Sequence, residues 1–245
     1  MDVLVRDRFF SGATSGVLVE VGAAHPDYLS VSASYRELGW NVVAVEPNPE
    51  FCELHRAQGH EILQYACGDH DEDEVDFCVV DSAGTPYRGG NVSYESFSSL
   101  AIKESYAELV DSELNVRKIT VDLRRLDTLL EEHASSVSHI DVLVVDVEGW
   151  ECEVLDGLDF EKFTPRVLII ENVFGDNVYR DYMRARGYEL WRYIDPNDIY
   201  VASSELRVGD KISRSISRLA TRGRQFRRLL KVRLSGEASS RTTRR

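Results

Sequence analysis

The sequence predicts an α/β fold built on a parallel sheet, and three observations carry that expectation. Apolar runs such as Val42–Val45, Val142–Val145 and Val167–Ile170 lack the alternation of a half-exposed strand. They suit strands covered by helices on both faces. Segments with helical spacing alternate with these runs over short connections, the order of a parallel sheet wound in the right-handed sense. An acid also stands at the C-terminal end of each buried run, the edge where open parallel sheets receive ligands.

The elements follow in order. GVLVEVGAA (16–24) reads as a buried strand ending in a glycine turn, and 27–38 as a helix stopped by Gly39. A second buried strand covers 41–49. Residues 49–59 form a helix with Pro49 in its first turn and Gly59 as C-cap. Residues 60–69 make a third strand, HDEDEVD (70–76) an acidic turn, 77–82 another strand, and 83–99 a loop rich in Gly, Ser and Tyr. A helix is expected over 122–133, with Asp127 as N-cap. The 142–145 strand leads into a short helix, 150–156, closed by Gly157. A buried strand (166–173) and a helix capped by Gly187 (176–187) come next. Residues 188–194 and 197–203 suit an antiparallel pair around Asp195-Pro196.

Composition bounds the function. The 245 residues, 43% of them apolar, are enough for one large α/β domain or a domain with an appendage. No apolar stretch approaches the roughly 20 residues of a membrane span. MDVLVRDRFFSG (1–12) interleaves charges with apolar residues and does not read as a signal peptide. The four cysteines form no CxxC pair, which suggests reduced thiols in a cytoplasmic protein. The net charge of −13 hides a division: residues 207–245 hold 13 basic and 2 acidic residues, of 29 and 42 in the whole chain. The expected domain is therefore 1–205, with a basic tail at 206–245. The acidic body should repel nucleic acid. In the tail, Ile212, Ile216, Leu219, Phe226 and Leu230 follow a 3–4 spacing among arginines. That pattern suits an anionic membrane surface, giving a cytoplasmic protein with peripheral membrane contact. It suits equally a helix packed on the acidic body or on a partner, with a disordered end at 236–245.

The strand ends form a constellation: Glu20 and Gly22, Glu46, Cys67-Gly68-Asp69, Asp146, and Glu171-Asn172. Gly22 allows the backbone to approach a ligand closely. Glu46, at the next strand end, can accept hydrogen bonds from both hydroxyls of a ribose. A dinucleotide would bring a GxGxxG turn to hold its pyrophosphate. The turn here, GAAHPD (22–27), has one glycine, and Asp27 would repel phosphate. An adenosine-type ligand with positive charge and no phosphate fits better, and S-adenosylmethionine is such a ligand.

Six segments carry a family resemblance: VEVGAA (19–24), VAVEPNP (43–49), ACGD (66–69), LRRLDTLL (123–130), VVDVEGWECEVLDG (144–157) and LIIEN (168–172). The sequence resembles the FkbM-type family of S-adenosylmethionine-dependent methyltransferases across about residues 16–203, the 144–157 segment being the most specific. The resemblance implies the class I methyltransferase (Rossmann-like) fold: a seven-stranded, mostly parallel sheet with helices on both faces and its last strand antiparallel. It implies O-methylation of a sugar, glycan or natural-product hydroxyl. It also implies cofactor contacts from Glu20, Gly22, Ala23, Glu46, Pro47, Cys67, Gly68 and Asp69. Glu20 stands where the family usually has Asp, Pro26 where a further glycine is common, and Val144 where lysine is frequent.

Methyl transfer needs the acceptor oxygen aligned with the methyl group and its proton removed. Asp146, Glu148 and Glu171 are the candidate catalytic residues. Asp146 and Glu171 are also candidate ligands of a divalent metal that acidifies the hydroxyl. Glu148 and Glu151 have an ordinary alternative role at a helix start. Rival functions are a nicotinamide-dependent oxidoreductase and a non-catalytic scaffold or RNA-binding protein that works through the tail.

Overall fold

The computed structural model describes residues 1–27, 30–81, 98–103 and 115–207, together with residues 209, 210, 215 and 219. The expected 83–99 loop, apart from Ser98 and Ser99, and almost all of the basic tail lie outside the described residues. The chain divides into two compact units, Met1–Glu171 and Asn172–Arg245. The boundary expected at 205/206 falls within the second.

The first unit opens with helix α1 (Asp2–Phe9). It then lays down β1 (Val17–Val21), the short α2 (Ala33–Arg36), β2 (Asn41–Val45) and α3 (Pro49–Ala57). After β3 (Ala66–Gly68), β4 (Glu72–Asp81) and β5 (Asn115–Arg125) come α4 (Leu126–His133), β6 (Val142–Val145), α5 (Glu151–Asp156), α6 (Phe160–Phe163) and β7 (Val167–Glu171). Strands β2, β1, β6 and β7 lie side by side in that order, all parallel. Every residue of β6 and β7 is buried, as the unbroken apolar runs require of central strands.

A single seven-stranded sheet is not what the unit forms. Strands β3, β5 and β4 make a separate three-stranded sheet, β3 parallel and β4 antiparallel to β5. The chain runs beside β2 only at Leu63 and then leaves that edge to pair Ala66–Gly68 with Leu123–Arg125. A small core of Ala66, Phe77, Val79, Val121 and Leu123 holds this sheet. The acidic stretch 70–76, expected as a turn, enters β4 at Glu72. The register shift between Glu72 and Val75, with Glu74 at φ 56°, absorbs its extra residue. The helix expected over 122–133 begins only at Leu126, because 115–125 is strand.

Residues 28 and 29 of the expected 27–38 helix lie outside the described residues, and among the others only Ala33–Arg36 is α-helix. Ser30 Oγ accepts from Ala33 N, and the Val31 and Ser32 amides turn to Glu20, so local side-chain bonds replace helical ones. Helix α3 matches its prediction, with Pro49 at its start and the Asn48 side chain accepting from Glu50 N.

The second unit carries α7 (Asn177–Ala185) and the antiparallel pair β8 (Tyr188–Ile194) and β9 (Asn197–Ala202), joined across cis Asp195-Pro196. Trp191 Nε1 donates to Asp210 at 3.1 Å, which ties the first tail residues to β8. No described helix is long and apolar enough to cross a membrane.

Candidate active site

The C-terminal ends of β1, β2, β6 and β7 bring Glu20, Glu46, Asp146 and Glu171 to one edge of the sheet. The turn after β1 is pressed against the end of β6. Gly22 N and Ala23 N both donate to Val45 O, at 3.0 and 3.1 Å, and Asp146 N donates to Val21 O. Gly22 has φ 81°, and a Cβ there would sit 1.8 Å from the Asp146 carbonyl oxygen. Only glycine fits, so the requirement read from the sequence has a steric cause.

Glu46 is buried and staples two loops. Its Oε2 accepts from Ala24 N at 2.9 Å and its Oε1 from Asn48 N at 2.8 Å. Beneath it, Cys52 Sγ donates to the Glu46 carbonyl, and His55 Nε2 lies 3.0 Å from Ala24 O. Two backbone donors orient the carboxylate, and each oxygen keeps a lone pair for a ligand hydroxyl. Burial, with Glu20 nearby, pushes its pKa up to about 7 despite those donors. Pro47 follows it, half-buried.

Glu20 faces the loop that precedes α2. Its Oε1 accepts from Val31 N and Ser32 N at 3.1 and 3.4 Å. Its Oε2 is buried with no hydrogen-bond partner among the described residues. Burial raises its pKa.

The β6 end carries the densest charge. Asp146, Glu148 and Glu171 each place a carboxylate oxygen within 4.8 Å of the others. Burial, then Glu151 and Glu20, raise the pKa of Asp146, while a hydrogen bond with Glu171 works the other way. Burial with Asp146 and Glu151 raises that of Glu148 well above the usual carboxylate range. Glu148 has φ 56° and Gly149 φ 101°. A left-handed conformation costs a non-glycine residue about 1–2 kcal/mol and persists only where the surroundings fix it. Two groups do so. Glu151 Oε1 accepts from Gly149 N at 2.9 Å, which makes it a buried lock on the turn. Lys103 Nζ donates to Gly149 O at 2.7 Å and to Glu153 at 2.6 Å, with its charge 4.3 Å from the Trp150 ring centre. Trp150 in turn donates to Ala101 O. The sequence reading missed Lys103, since a lone lysine 46 residues from its partner leaves no local signal.

The β3 end stands apart. Cys67 is buried, and burial raises its thiol pKa. Gly68 packs its carbonyl against Gly157, where a Cβ would come within 2.0 Å. Asp69 is exposed and pairs with His70 at 2.6 Å instead of joining the other acids.

No curated protein matches the sequence. Among solved structures, a methyltransferase FkbM from Methylobacillus flagellatus KT is similar over 80% of this chain, at 12% identity and a TM-score of 0.46. The chain spans 47% of that protein's length. The profile of the methyltransferase FkbM domain matches residues 20–190, a stretch that takes in every site residue from Glu20 to Glu171. The chain belongs to the FkbM methyltransferase family.

Proposed function

We propose that the chain is an S-adenosylmethionine-dependent O-methyltransferase acting on a hydroxyl of a sugar, glycan or natural product. The observation that carries this reading is the set of carboxylates at the strand ends, whose burial and mutual repulsion raise their pKa values. Buried acids at such density favour a ligand that brings positive charge, and a sulfonium with an ammonium group does so; among the described residues Arg36 acts on Glu20. The residues fit that ligand. Gly22 and Ala23 let its chain lie against the backbone, and Glu46 keeps lone pairs for the ribose hydroxyls. Glu20 Oε2 is a buried acceptor still open to a donor.

Bound there, S-adenosylmethionine supplies an electrophilic methyl group on sulfur. Asp146 takes the acceptor's hydroxyl proton on its carboxylate. Glu171, with a carboxylate oxygen within 4.8 Å of one on Asp146, stands beside it. The locked turn at 147–150 fixes the distance between base and acceptor.

Calorimetry with S-adenosylhomocysteine tests the cofactor assignment. Glu46→Gln should weaken binding about 10-fold or more, the cost of about 1.5–3 kcal/mol for losing a charged acceptor. Affinity unchanged in that variant would sink it.

A further inference from the structure

We propose that Asp146, Glu148 and Glu171 form a binding site for one divalent cation of the Mg2+ or Mn2+ class, which also receives the acceptor's hydroxyl oxygen. The role toward the acceptor rests on the methyl-transfer reading; the ion site does not.

The geometry is the first argument. Oxygens in the octahedral shell of such an ion, at metal–oxygen distances of about 2.0–2.1 Å for Mg2+, stand about 3–4.2 Å apart. The three carboxylate oxygens already lie within 4.8 Å of one another, so small side-chain rotations bring them into one shell. The second argument is independent of the clustering. Glu148 is only 6% exposed, and its Oε2 has no hydrogen-bond partner among the described residues. A buried carboxylate oxygen without a donor is costly unless a cation meets it. Lys103 does not meet that need: its bonds go to the Gly149 carbonyl and to Glu153.

The turn that presents Glu148 is built to hold it. Glu148 sits at φ 56°, and Glu151 and Lys103 grip Gly149 from either side. The donor set is all oxygen, with no imidazole or thiolate, which favours hard cations. Three protein oxygens leave about three of six octahedral positions for water and an acceptor hydroxyl.

Calorimetric titration of the full chain with Mn2+ at pH 7.5, without S-adenosylmethionine, is the test. We expect one site per chain, weakened at least 10-fold by Glu148→Gln. Glu53→Gln, which removes an exposed acid on α3, should leave it unchanged. Where Glu148→Gln does not fold, Glu171→Gln takes its place. The absence of a one-to-one site, or a site indifferent to these substitutions, overturns the proposal. S-adenosylhomocysteine binding, measured on the same samples, separates the two readings. A wild type that binds it without a Mn2+ site loses the ion proposal alone. A wild type that binds Mn2+ here but no S-adenosylhomocysteine loses the methyltransferase reading alone.

Discussion

At Gly22 the fold leaves no volume for a side chain, because the turn after β1 and the end of β6 share the same space. Gly22→Ala must either push the Asp146 carbonyl away or distort a left-handed backbone. Each costs about 1–3 kcal/mol. Thermal unfolding should show a loss in that range, together with weaker S-adenosylhomocysteine binding. Glu46 gives a pH signature. Its folded pKa of about 7 stands above the ordinary 4.5, so the folded chain keeps a proton that the unfolded chain has released. The stability it contributes is fully present below about pH 4.5 and is lost as pH rises through about 7. A cationic ligand needs the ionised form, so its binding should strengthen over the same rise. Melting curves between pH 5 and 8, with and without ligand, check both trends, and Glu46→Gln should lessen each, the remainder coming from Asp146, whose pKa is raised as well. The acids themselves were legible in the sequence because strand ends have fixed positions. Their partners were not. That Glu20 holds Val31 and Glu151 holds Gly149 depends on how loops fold back, which periodicity does not encode.

Among the elements, those with a strong pattern emerged as expected: the buried strands β1, β2, β6 and β7, the capped helix α3, and the β8–β9 pair. Strand β5 did not. NVRKITVDLRR carries charges on both faces, and its inward residues Val121 and Leu123 pack only on a small core. Its pairing partner β4 begins in a run of acids that reads as solvated loop. Ion pairs stand where apolar alternation would have shown a strand: Arg124 with Asp73 and Lys118 with Asp76. The segment at 98–103 matters in another way, since Lys103 clamps the turn of Glu148. Lys103→Met keeps the stem and removes the charge. The turn should then relax and misplace the base, lowering kcat about 10- to 100-fold. S-adenosylhomocysteine affinity should change little, because Glu46 follows β2, which β1 separates from β6 and its turn. Steady-state kinetics beside calorimetry reads this split, and parallel losses in both would show that Lys103 acts on the whole site.

Over the whole molecule, the division of charge that the sequence announces sets its own expectation. Residues 207–245 concentrate 13 of the 29 basic residues, and an amphipathic row runs through them. A surface of anionic lipid attracts such a segment by about 1 kcal/mol per basic residue, and salt screens the attraction. The acidic remainder of the chain gains nothing from that surface, so the tail alone should carry the interaction. Asp210 is bonded to Trp191 of β8, so a cut should leave that contact in place. Deleting residues 220–245 removes nine basic residues and one acid and keeps it. The shortened chain should fold and bind S-adenosylhomocysteine as the full chain does, because Glu20, Gly22, Glu46 and Asp146 all stand far upstream in sequence. At low salt the full chain should sediment with vesicles containing phosphatidylserine, and the shortened chain should not. Raising the salt to about 0.5 M should release the full chain as well, since screening acts on exposed charges. A full chain that ignores those vesicles would assign the basic segment to a protein partner or to the acidic body of the molecule itself.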